Sequence, residues 1–144
     1  MLLGEYEHTI DEKNRLTLPA KFRQAVAGGL VLTRGLDACI YAYPVAAWER
    51  LVEDRLEPLD PLSPEARRME RFFFSGAAEV EPDRQGRVMV PQALLKHAGL
   101  GREVVVAGVR DRLEIWDRGA WRKHLDEVEG SAEDVAERLA TKRD

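Results

Sequence analysis

The chain has 144 residues, 44% hydrophobic and 33% charged, with a net charge of −4. That size suits one compact domain or two small ones, and apolar runs as short as Val104-Val105-Val106-Ala107 exclude a membrane-spanning helix. The single Cys39 excludes an intrachain disulfide and suits a reducing compartment, and Met1-Leu2-Leu3-Gly4 lacks the basic and apolar regions of a secretory signal.

Gly4 to Ile10 alternates Tyr6, His8 and Ile10 against Glu5, Glu7 and Thr9, the period of a half-buried strand. Asp11-Glu12-Lys13-Asn14 reads as a turn, because Asp bonds backbone two residues on and Asn tolerates positive φ. Leu16 and Leu18 then face a core, which points Arg15 outward at a hairpin tip, and Pro19 ends the strand. Ala20 to Ala27 is expected as a short helix with Phe22 and Val26 inward, stopped by Gly28-Gly29. Strands follow at Leu30 to Thr33 and Ala38 to Tyr43, around a turn at 34–37. Pro44 opens a helix to about Arg55 with Trp48, Leu51 and Val52 on one face. Pro58, Pro61 and Pro64 break the chain, and Ser63 caps a helix to about Phe73. Phe72-Phe73-Phe74 is expected to pack between two units or against a neighbouring subunit.

The order then repeats. Asp83-Arg84-Gln85-Gly86-Arg87 follows Asp11-Glu12-Lys13-Asn14-Arg15 by 72 residues, and each leads into apolar-x-apolar-Pro, ending at Pro19 and Pro91. Gly86 stands opposite Asn14, and these two residue types best accept the left-handed region, so the fourth turn residue is predicted to have positive φ. A helix with Leu94, Leu95 and Ala98 inward ends at Gly99. Strands at 104–107 and 112–116 pair, Ala120 to Val128 closes the unit, and Ser131 to Ala140 forms a final amphipathic acidic helix. A fixed-period motif with matching flanks marks a duplicated unit of β-β-α-β-β-α order. Units this small bury little surface alone, so they are expected to share a core or oligomerise.

The acidic total argues against a nucleic-acid partner, but its distribution does not. Residues 13–34 carry Lys13, Arg15, Lys21, Arg23 and Arg34 with no acid, and 84–102 carry Arg84, Arg87, Lys96 and Arg102 with none. The acids collect at 53–60 and 126–137. Arg15 and Arg87 are therefore the sharpest candidates, since a guanidinium fork matches guanine edges and phosphate oxygens. Nearby lysines supply phosphate attraction. The bland alternative is that Asp11 pairs with Arg15, and Asp83 with Arg87, across each turn, and both roles are compatible. Catalysis finds little support. Cys39 reads as a small core residue, His8, His97 and His124 fall in three elements without zinc spacing, and there is no phosphate-binding glycine loop or G-x-S-x-G. Trp48, Trp116 and Trp121 recur at matched positions, as packing residues do. No enzyme activity, metal, cofactor or small-molecule substrate is expected.

Asp11-x-Lys13-x-Arg15-Leu16-x-Leu18-Pro19-Ala20-Lys21-Phe22-Arg23 resembles the first signature of the MraZ family of bacterial transcriptional regulators. Asp83-x-x-Gly86-Arg87-Val88-x-Val90-Pro91, followed by Leu113-Glu114-Ile115-Trp116, resembles the second. The resemblance implies an α+β fold of tandem SpoVT/AbrB-like (swapped-hairpin) units that interlock into one β-barrel-like body with short flanking helices. It places domain one at 5–50, a helical connector at 51–76, domain two at 77–123 and a helical tail at 124–144. It also implies a ring-shaped homo-oligomer in the cytoplasm, associated with the nucleoid. Its expected partner is double-stranded DNA, at repeated sites upstream of the division and cell-wall gene cluster that includes its own gene. The D-x-x-x-R residues face DNA in that family, which carries over to Asp11, Arg15, Asp83 and Arg87, flanked here by Lys13, Lys21, Arg23 and Arg84. The second copy departs from the first, with Gln85 in place of Lys13 and no Lys-Phe-Arg after Pro91, so the first tip is the stronger DNA candidate. The alternative is a protein-interaction or antitoxin-like module whose acidic final helix docks a partner.

Overall fold

The computed structural model describes residues 1–143. Asp144, the end of the expected 124–144 tail, lies outside the described residues. The first half supplies β1 (Leu2–Thr9), β2 (Arg15–Thr17), β3 (Leu30–Arg34), β4 (Ile40–Pro44), α1 (Val45–Leu51) and α2 (Pro64–Ser75). The second half supplies β5 (Ala78–Val80), β6 (Arg87–Met89), α3 (Gln92–Ala98), β7 (Glu103–Arg110), β8 (Leu113–Asp117) and α4 (Arg118–Arg143). The predicted β-β-α-β-β-α order recurs in each half, with one weakened member described below.

Six strands form one antiparallel sheet in the order β1-β7-β8-β4-β3-β5, and β2 with β6 form a separate two-stranded ribbon. Labelled by half, the six-stranded order is a palindrome. Each half's first strand pairs with the other half's third: β1 with β7, and β5 with β3. Equivalent residues meet at two places, Leu16 opposite Val88 in the ribbon and Tyr41 opposite Glu114 at the β4–β8 centre. An approximate two-fold axis runs through both pairs, the geometry of an isologous dimer built within one chain. The fold is α+β with the two repeats interlocked.

The interlocking follows from what each half must bury. Leu16, Leu18, Val88 and Val90 alternate along the ribbon and are at most 1% exposed. They pack on Leu30, Leu32, Ile40, Val104, Val106, Leu113 and Ile115 from the sheet, with Phe22, Val26, Leu94 and Ala98 closing the ends. A half alone offers one ribbon strand, which cannot cover that face. A second cluster lies on the other side of the sheet, where Tyr41, Tyr43 and Trp116 meet Ala47, Leu56, Phe73, Trp48 and Trp121. The tryptophans serve packing, as matched positions imply. Trp116 stacks on His124 at 4.8 Å and meets Trp121 edge-on. Phe72 meets His97 of the second half at 5.9 Å and so does pack between halves, while Phe73 is buried in the second cluster and Phe74 rests exposed against Trp48.

Four local expectations are corrected. β1 and β2 form a hairpin only at its closing turn, where Asp11 N–H donates to Arg15 C=O at 3.0 Å. The eight residues of β1 pair with β7, and only Ile10 bridges Leu16, because the sheet edge offers a full ladder where β2 offers three residues. The helix expected over Ala20 to Ala27 is a single 3-10 turn, Ala20–Phe22, followed by irregular turns with mixed i→i+3 and i→i+4 bonds. Its counterpart α3 is a true α-helix rich in strong formers (Ala93, Leu94, Leu95, Lys96), whereas Phe22 and Val26 favour helix less. The helix after Pro44 does reach Leu56, but its last turn, Val52–Leu56, is a π turn in which Glu57 N–H donates to Val52 C=O at 2.7 Å. The extra residue brings Leu56 into the second cluster before Pro58 stops the helix. Finally, the closing helix and the acidic tail are one 26-residue helix running through Gly130. The cap at Ser63 is as expected, its hydroxyl accepting from Ala66 N–H at 3.4 Å.

Candidate nucleic-acid interface

The two turns are nearly superimposable in their bonding. In the first, Asp11 Oδ1 accepts the backbone N–H groups of Lys13 and Arg15, both at 2.9 Å, and Asn14 N–H donates to Asp11 C=O at 3.0 Å. In the second, Asp83 Oδ1 accepts from Gln85 and Arg87 N–H, both at 2.9 Å, and Gly86 N–H donates to Asp83 C=O at 2.9 Å. Asn14 has φ 60° and Gly86 φ 76°, as their alignment predicts. Each Asp thus builds its own turn, an Asx arrangement in which the side chain stands in for a backbone acceptor.

The second carboxylate oxygen reaches the arginine. Asp11 Oδ2 takes Arg15 Nε at 2.7 Å, and Asp83 Oδ2 takes Arg87 Nε at 2.8 Å. The arginines do not stand straight out, as the strand pattern suggests, but lean back along the turn with side chains about 30% exposed. Only Nε is used, so both terminal nitrogens of each fork remain to meet a ligand, oriented by the aspartate. The backbone N–H of Arg15, first of all, holds the Asp11 carboxyl below the ordinary range, and that of Arg87 does the same for Asp83. Both aspartates therefore stay ionised wherever the protein works.

What the sequence does not disclose is that both arginines share one surface. Ribbon pairing sets Arg15 opposite Met89 and Thr17 opposite Arg87. With Leu16, Leu18, Val88 and Val90 turned inward, Arg15, Thr17, Arg87 and Met89 form the outer face. The two arginines are diagonal neighbours on it, about 7–8 Å apart at their Cα atoms. Lys13, Lys21, Arg23 and Arg84 are all exposed around this ribbon. Arg102 is a residue that sequence reasoning missed: its C=O accepts Ile10 N–H at 2.8 Å and its side chain pairs with Glu12 at 3.6 Å. It lines an open depression of about 350 Å³ with Asp11, Lys13 and Arg15. The acid-free 84–102 segment contained it, but only the β1–β7 register carries it to the first tip.

Each tip is also held by the opposite half. Leu18 N–H donates to Gly86 C=O at 2.9 Å, and Val90 N–H to Asn14 C=O at 2.8 Å. Asn14 Nδ2 reaches Gln92 Oε1 at 3.4 Å. His8 lies near Arg23, and burial together with that charge lowers its pKa.

Cys39 is fully buried and burial pushes its thiol well up, which removes it as a nucleophile. Glu114, buried at the two-fold centre, accepts from Arg112 and from Trp116 Nε1, and Arg112 stacks over Tyr41 at 4.5 Å. Among the described residues no group of three or more His, Cys, Asp or Glu is placed to hold a metal ion, and no helix is long and apolar enough to cross a membrane.

The palindromic sheet and crossed ribbon define a tandem swapped-hairpin protein. The profile of the family described as "MraZ protein, putative antitoxin-like" matches residues 1–72 and again 73–143. The chain is 46% identical over 139 residues to the Transcriptional regulator MraZ of Heliobacterium modesticaldum, covering 96% of each. The chain belongs to the MraZ family.

Proposed function

We propose that this protein is a sequence-specific DNA-binding transcriptional regulator, acting as a repressor, with the β2–β6 ribbon as its DNA-contacting face. The observation that carries the reading is the paired placement of Arg15 and Arg87, each oriented by its own aspartate on one exposed face flanked by cations. Arg15 and Arg87 read bases or clamp phosphates. Lys13, Lys21 and Arg84 supply sequence-independent attraction, and Asp11 and Asp83 orient rather than contact. The similarity to a named transcriptional regulator supports the same reading. In this scheme 5–50 and 77–123 are the DNA-facing units, 51–76 connects them and the tail follows.

The finer assignment is a ring of identical subunits in the cytoplasm, associated with the nucleoid. It binds repeated sites upstream of the division and cell-wall cluster that includes its own gene. Several ribbons in register with repeated sites answer the acidic net charge, because local field and effective concentration govern binding. The test is binding to its own upstream region at several salt concentrations. Arg15→Ala with Arg87→Ala should weaken binding at least about thirtyfold, at about 1–3 kcal/mol per bidentate contact. Unchanged affinity and salt slope would overturn the assignment.

A second reading, a protein-docking or antitoxin-like module, is favoured by one observation. The distal part of α4 is exposed on every side, Val128, Val135 and Leu139 included. A partner lost on deleting residues 131–144, from a protein that binds no DNA, would favour it.

A further inference from the structure

Gly86 is buried although it sits at a turn tip, whereas Asn14 at the equivalent place is half-exposed. The cover is Arg23, from the other half. A Cβ built on Gly86 would lie 2.5 Å from Arg23 Nε and 3.0 Å from its Cδ and Cζ. The same Nε donates to Leu18 C=O at 3.4 Å, and Leu18 N–H donates to Gly86 C=O at 2.9 Å. Arg23, Leu18 and Gly86 therefore close a ring of contacts between the segment after Pro19 and the second tip. The first tip is braced differently, through Asn14 Nδ2 and Gln92 Oε1. This accounts for a difference between the repeats that turn chemistry alone leaves open. Asn and Gly both accept the required φ, but only glycine leaves room for a guanidinium to lie across the turn.

We propose that Arg23 is a positioning residue that seats the second tip, so that its part in recognition passes through Arg87 rather than through a contact of its own. The consequence for affinity rests on the DNA-binding reading, while the strut itself does not.

The test separates the two. In the free full-length protein, Arg23→Ala should speed amide exchange at Gly86 and Arg87 about fivefold or more, the factor expected for losing one such contact. Asn14 and Arg15 should stay unchanged. Gly86→Asn, which keeps the backbone angle but fills the space, should reproduce that pattern, and adding it to Arg23→Ala should change nothing further. Equal exchange at both tips, or none at the second, overturns the strut. On DNA, Arg23→Ala combined with Arg87→Ala should bind no more weakly than Arg87→Ala alone, whereas its effect should add to that of Arg15→Ala. Additivity with Arg87→Ala, with a salt slope lower by about one, marks a direct phosphate contact and overturns the proposal. A protein that binds no DNA at all sinks the functional reading and leaves the exchange result to decide the strut.

Discussion

At the scale of single residues, Asp11 and Asp83 do two things with one carboxylate. Oδ1 replaces a backbone acceptor inside the turn, and Oδ2 aims an arginine. Both carboxyls titrate below their ordinary value, so the stabilisation they give is complete above the unfolded pKa of about 3.9 and is lost as pH falls through the lower folded value. Amide protection at Lys13, Arg15, Gln85 and Arg87 should therefore collapse on acidification below about pH 4. Asp11→Asn should flatten that dependence at the first tip only, read by hydrogen exchange between pH 5 and 2. An unchanged acid profile would count against this account. The turn was legible because an Asx arrangement is local, and the Asn14/Gly86 alignment announced positive φ. The Asp11–Arg15 and Asp83–Arg87 pairings were legible too, since the partners lie four positions apart, but strand alternation did not tell that each pairing would use Nε and draw the arginine back along the turn.

Elements were read well where periodicity was strong and local chemistry decisive. Ser63 caps α2, Gly99 ends α3 in the left-handed conformation with φ 59°, and the strands at 30–34, 103–110 and 113–117 fall close to their expected places. They were misread where a partner decided. β1 is committed to β7, more than ninety positions away in sequence. The 3-10 turn after Pro19 buries Phe22 in the shared core and goes no further as regular helix. Two helices were expected, over 120–128 and 131–140, yet α4 continues through Gly130 with nothing near the glycine. Gly130→Ala should then raise the helicity and exchange protection of residues 126–140 by about 0.5–1 kcal/mol locally. The main unfolding midpoint should hardly move, because this stretch touches no core. A large shift of the midpoint would show that the distal helix packs on the body.

For the whole molecule, the decisive feature is exchange between halves. β1, β2 and β3 find partners in β7, β6 and β5, all from the other repeat. A fragment of residues 1–76 should therefore fold only by pairing with a second copy or with the complementary fragment. Light scattering and circular dichroism over a concentration series check this, and a stably folded monomer would refute it. The intact chain should unfold in one transition, because the main core is shared between the halves. The same exchange builds the arginine-bearing ribbon face, since each tip is held by a residue from the opposite repeat.

By itself the sequence determined the duplication, the turn at each D-x-x-x-R, the inward and outward faces of the ribbon strands and the basic character around both tips. These depend on residues within a few positions of one another. Only the tertiary structure decided that the two motifs lie on one ribbon, that Arg102 joins the first tip and that Arg23 crosses to the second. Those outcomes are set by register between strands distant in sequence, and the energy that fixes register comes from closing a shared apolar core that no local segment contains.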